Sequence, residues 1–217
     1  MQSDLSSIFN AVGEALRQNK DAFNQADPIN ANHGDHMVEV FELAARAADE
    51  KRDAGVADAM EYGANLLAAQ ADNGSARMYA HGLGQMARQL RRYHVSLEDL
   101  LLYVRGALSK DKEAGMPEPE VSSGDVLKAL MNALAGWGQI ESGQVPTDSP
   151  LDMGALFEFG MAYMQAKQRG GSRIEILADA AASVSPLSKT PHRYLSGKRA
   201  IQALLTAMQS TSTGLPT

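Results

Sequence analysis

Ser96-Leu-Glu-Asp-Leu-Leu-Leu-Tyr-Val-Arg-Gly-Ala-Leu108 carries two independent helix signals. A serine followed three positions later by an acidic residue has capping-box form. Leu97, Leu100, Leu101, Val104 and Leu108 then recur every three or four positions, the spacing of one helix face. The same period extends in both directions. Upstream, Leu5, Ile8, Phe9, Val12, Leu16 and Phe23 mark a first helix, with Ser3 or Asp4 as its cap. Met37, Val40, Phe41 and Ala44 mark a second, Val56, Ala59, Gly63, Leu66 and Leu67 a third, and Met78, Gly82, Met86 and Leu90 a fourth. Downstream of this fifth helix, Gly115-Met-Pro-Glu-Pro-Glu120 reads as loop, because two prolines and a glycine interrupt it. Val126, Leu127, Leu130, Met131, Leu134 and Trp137 mark a sixth helix, and Gly138 to Pro150 a second loop. Leu151, Ala155, Phe159 and Tyr163 carry a seventh helix that stops near Gly170-Gly171. A short helix around Ile174 to Ala182 is expected next, and Ile201, Leu204, Leu205 and Met208 carry the last.

No segment alternates with period two, β-branched residues are sparse, and no repeat of solenoid period occurs. The expected fold is all-α: a bundle of about eight helices in one domain over residues 1–210, with a fraying tail over 211–217. The apolar stripes and the eleven methionines read as core.

Composition narrows the function. Of 217 residues, 44% are hydrophobic and 21% charged, which is globular rather than disordered. The net charge of −6 argues against a broad nucleic-acid-binding face. With no cysteine, thiolate metal sites, disulfides and cysteine nucleophiles are excluded, and a reducing cytoplasm is the expected setting. No apolar run approaches the roughly 18 residues of a spanning helix, and the first residues lack the pattern of a signal peptide.

Three places concentrate polar chemistry. Asp27-Pro-Ile-Asn-Ala-Asn-His-Gly-Asp-His36 holds two aspartates and two histidines and runs into a helix start. Carboxylates at that density suit Mg²⁺, histidines a softer metal or proton transfer, and a helix N-terminus suits phosphate. Equally, it reads as a polar turn with Asp35 as a cap. Ala71-Asp-Asn-Gly-Ser-Ala76 offers backbone N–H groups and a hydroxyl to a phosphate, or is simply a capped helix start. There is no Walker-type motif. Arg169, Arg173, Lys189, His192, Arg193, Lys198 and Arg199 form a basic group, read either as phosphate ligands or as solvated cations. Arg88, Arg91 and Arg92 read as solvent-facing.

The order of certain motifs carries a resemblance. Asp27 and Gly34-Asp35-His36-Met37, then Asn73-Gly-Ser75 with Tyr79, then Val95-Ser-Leu-Glu-Asp-Leu100, then Pro119-Glu-Val-Ser-Ser-Gly124-Asp125, and finally Pro191 follow one another along the chain. In this order they resemble the motifs of the nucleotide-binding L subunit, or L-type domain, of bacterial dihydroxyacetone kinases. The resemblance implies an antiparallel helical barrel closed at one end. It also implies Mg²⁺ and ADP or ATP as cofactors, with phosphoryl transfer to dihydroxyacetone held by a partner kinase subunit. Carried over by position, Asp27, His33 and Asp35 would hold metal, and Asp35 and His36 would act at the reacting phosphate. Gly74, Ser75, Asp125, Arg173 and Arg193 would contact the nucleotide. Partners would be nucleotide and that subunit, with neither nucleic acid nor membrane, and a homodimer is compatible.

The chain departs from the pattern at definite positions. His33 stands where the middle metal aspartate is expected, and Met37 where a glycine is. Ala76-Arg77 replaces Gly-Pro, Val126-Leu127 replaces Lys-Thr, and Thr190-Pro-His-Arg193 replaces Asp-Pro-Gly-Ala. Three functions therefore stand open. One is a kinase-type phosphotransferase, the second a degenerate relative that binds a ligand or partner without transfer. The third is a metal enzyme using His33, Asp35 and His36 around one transition metal.

Overall fold

The computed structural model describes residues 5–70, 72–108, 153–185 and 190–212. Among the described residues, regular structure is entirely helical. The helices are α1 (Leu5–Arg17), α2 (Lys20–Ala26), α3 (His33–Glu50), α4 (Val56–Gln70), α5 (Gly74–Arg92), α6 (Leu97–Leu108), α7 (Met153–Arg169), α8 (Arg173–Val184) and α9 (Pro191–Ser212). The all-α bundle expected from the periodicity is therefore the fold class observed. The helix expected over 126–137, the loops around it, Asp125 and Lys189 lie outside the described residues.

Three boundaries differ from expectation, each for a local reason. The single helix expected through Phe23 is two. Asn19 donates its side-chain amide to the Ala15 carbonyl at 2.8 Å, and α1 ends at Arg17 while α2 begins at Lys20. Such a side-chain bond offers the backbone an alternative to helical pairing. The last helix begins at Pro191, ten residues before its first apolar marker, because proline suits a first helical position. It also runs two residues into the expected tail.

The packing order explains how distant loops meet. α1 lies against α3 and α9, α3 against α4 and α5, and α4 against α5. α9 also contacts α6 and α8, and α8 contacts α7. Ile8, Val12 and Leu16 from α1, Met37 and Val40 from α3, Leu67, Leu90 and Leu101 are almost free of solvent. Burying side chains of this size contributes about 1.5–3 kcal/mol each. Phe41 of α3 stands edge-on to both Phe9 of α1 (6.2 Å between centroids) and Tyr79 of α5 (5.4 Å). Small residues set the approach of α3 and α4. Ala44, Ala45, Ala47 and Ala48 are buried, and a Cβ on Gly63 would sit 3.4 Å from the Ala47 Cβ.

Candidate functional site

The loop from Asp27 to Asn32 is organised by Asp27. Its carboxylate is buried and accepts the Ile29 N–H at 3.1 Å. Backbone N–H groups of Asn30 and Asn32 also bond to it, and the three bonds together hold its pKa below the usual carboxylate range. Ala31 takes a left-handed conformation (φ 52°) to complete this turn.

The loop then delivers α3 against α2. Asn24, from α2, accepts the Gly34 N–H on Oδ1 at 2.7 Å and donates to Asp35 through Nδ2 at 2.8 Å. A side chain from another helix thus covers a first-turn N–H of α3, which has no intrahelical partner. Gly34 is required for this approach: a Cβ there would lie 2.2 Å from the Lys20 carbonyl oxygen. Asp35 also pairs with Lys20 at 3.0 Å. Lys20 and Asn24 hold its carboxyl below the ordinary value.

His33, the first residue of α3, points the other way, into the protein. Its Nε2 is 2.7 Å from Ser196 Oγ on α9, and its Nδ1 is 3.4 Å from Ser75 Oγ on α5. Ser196 Oγ also donates to the Arg193 carbonyl at 3.2 Å. The network therefore assigns the proton to Nε2, which donates to Ser196, and leaves Nδ1 to accept from Ser75. Burial, with help from His192 and Arg193, lowers the pKa of His33 to about 4, so the ring is neutral at pH 7. The His192 ring stands edge-on to it, with centroids 4.9 Å apart.

One imidazole thus gathers the first turns of α3 and α5 and the N-terminal part of α9. Arg193 reaches the same place: its Nη2 would be 3.6 Å from a Cβ on Gly74. α5 is capped by Asn73, which accepts the Ala76 N–H at 2.7 Å and donates to Glu39 at 2.9 Å. Ser75 is therefore not the cap, and its hydroxyl is turned to His33. Two buried polar atoms flank the cluster without a hydrogen-bond partner among the described residues. They are Asn32 Oδ1 before α3 and Thr190 Oγ1 before α9.

Of the residues expected at a site, the structure brings together His33, Gly74, Ser75 and Arg193, with Asp27 electrostatically coupled to His33. Asp35 faces Lys20 and Asn24 instead, half-exposed. His36 lies half-buried, its N–H bonded to the Asn32 carbonyl. Arg173 begins α8 and is exposed. Asp27, His33 and Asp35 do not converge, and among the described residues no three His, Asp or Glu side chains are grouped to hold a metal. Sequence reasoning missed Ser196 and Asn24. Ser196 lies on α9, 163 positions from its partner, and nothing local marks it.

No protein-family model, curated protein or solved structure matches the chain.

Proposed function

We propose that the starts of α3, α5 and α9 bind the phosphate groups of a nucleotide, at the place the L-subunit resemblance assigns to ADP or ATP. The observation that carries this reading is the juxtaposition of three helix starts around His33, with Arg193 beside Gly74. Each helix N-terminus behaves as roughly half a positive charge, although Asn24 and Asn73 already accept the Gly34 and Ala76 N–H groups. The N–H groups of Gly74 and Ser75 lie in such a first turn. The neutral His33 fastens the three ends, and Arg193 supplies the full positive charge.

Binding without phosphoryl transfer is the reading favoured over kinase activity. Asp27 spends its carboxylate on backbone N–H groups, and Asp35 is held by a lysine and an asparagine. A Mg²⁺ ion would have to compete with both arrangements. Transfer to dihydroxyacetone on a partner subunit stands as the second reading, carried by the motif order and by the exposure of Asp35.

Calorimetry with ADP and ATP, with and without Mg²⁺, tests both. Binding that survives chelation of Mg²⁺ and weakens at least tenfold in Arg193→Glu supports the first reading. Mg²⁺-dependent binding with phosphorylated product, lost in Asp35→Ala, supports the second. No binding at millimolar nucleotide would overturn both.

A further inference from the structure

A separate cavity of about 360 Å³ opens between the end of α7, the start of α8 and the middle of α9. Its floor is Asp179, which is 6% exposed. Three donors converge on that carboxylate. Lys198 Nζ approaches Oδ1 at 2.6 Å, Tyr194 donates to the same oxygen, and Arg169 pairs with Oδ2. The second acid of the wall, Glu175, is also engaged: it accepts the Ser172 N–H at 2.7 Å and closes the capping box of α8.

Two cations face two carboxylates around this cavity, and both cations keep unused donors. A guanidinium has five N–H donors and an ammonium three, and Arg169 and Lys198 each spend one on Asp179. Gly170 and Gly171 also line it, both at positive φ (82° and 120°), and a Cβ on Gly170 would meet nothing within 4 Å. The cavity therefore offers surplus donors, from a wall that a buried carboxylate holds in place, beneath an open mouth.

We infer that this cavity is a second ligand site, taking a small organic anion whose carboxylate or phosphate oxygens bond to Arg169 and Lys198. Its volume falls in the range of small-molecule pockets, and Asp179 positions both cations rather than touching the anion. The site is independent of the nucleotide reading above, since Arg193 and His33 do not line it.

Titration of the full chain with malonate and with 3-phosphoglycerate, followed by backbone amide NMR, tests the inference and separates the two anion types. The expected result is saturable shifts at Gly170, Gly171 and Lys198 with at least one probe. Arg169→Gln and Lys198→Met should each weaken binding tenfold or more, and Arg193→Glu should leave it unchanged. Arg169 is exposed, so its substitution leaves the fold intact and keeps the test valid if Lys198→Met does not fold. Absence of saturation with either probe at tens of millimolar overturns the inference. So does binding that ignores Arg169→Gln or disappears in Arg193→Glu.

Discussion

At the scale of single residues, His33 shows how burial decides what a titratable group does. A histidine in a loop rich in acids suggests a metal ligand or proton carrier. Here both ring nitrogens are taken by serine hydroxyls, and burial keeps the ring neutral. The linkage has a definite sign. The unfolded chain protonates His33 near its ordinary value of 6.5 and the folded chain only near 4. Stability is therefore full above pH 6.5 and falls as pH drops from 6.5 toward 4. The expected loss is on the order of 2 kcal/mol across that window. Urea unfolding at pH 7.5 and pH 4.5 measures it, and in His33→Gln the difference between the two pH values should shrink by most of that amount. Gly34 makes a second case. With the Lys20 carbonyl 2.2 Å from where a Cβ would stand, Gly34→Ala must separate α2 from α3. We expect a loss of about 2 kcal/mol or more, read as a lower urea midpoint, and weaker protection of the α3 first turn in hydrogen exchange.

At the scale of elements, legibility depended on whether the deciding contact was local. The start of α6 was readable because its partners are three positions apart. Asp99 accepts from the Ser96 N–H at 2.8 Å, and the Asp99 N–H donates to Ser96 Oγ at 3.1 Å. Ser96→Ala should cost about 1 kcal/mol, while Ser96→Thr, which keeps the hydroxyl, should cost much less. The stop at Gly170-Gly171 was readable for the same reason, since left-handed backbone favours glycine. The break between α1 and α2 was not, because apolar spacing continues through it to Phe23 while one asparagine bond ends the helix. The site divides in the same way. Ser75 was picked out by residue type at an expected helix start, and Arg193 only as one of a basic group and through the resemblance, since the helix start beside it was not expected. The outward turn of Asp35 was not foreseeable, because it follows from Lys20 and Asn24 on a helix that periodicity had merged with its neighbour.

At the scale of the whole molecule, the starts of α3, α5 and α9 meet at His33 in an acidic chain of net charge −6, with Arg193 beside Gly74. The same three helices anchor the core: Phe41 of α3 touches Tyr79 of α5, and α9 packs on α1, α3 and α6. A ligand bridging their N-termini therefore joins elements that must separate when the protein unfolds. Any ligand that binds only the folded state stabilises it by RT ln(1 + [L]/Kd), about 2.7 kcal/mol at a hundredfold excess over Kd. For a chain of this length each kcal/mol raises Tm by roughly 2–4 °C. ADP at that excess should thus raise Tm by roughly 5–10 °C, and Arg193→Glu should abolish the rise at the same concentration. The rise should also shrink with added salt, which screens the attraction between phosphate and the partly exposed Arg193. A thermal shift that is equal in the wild type and Arg193→Glu would place the nucleotide elsewhere on the molecule, while a shift confined to the wild type ties the global stability of the bundle to its three gathered helix starts.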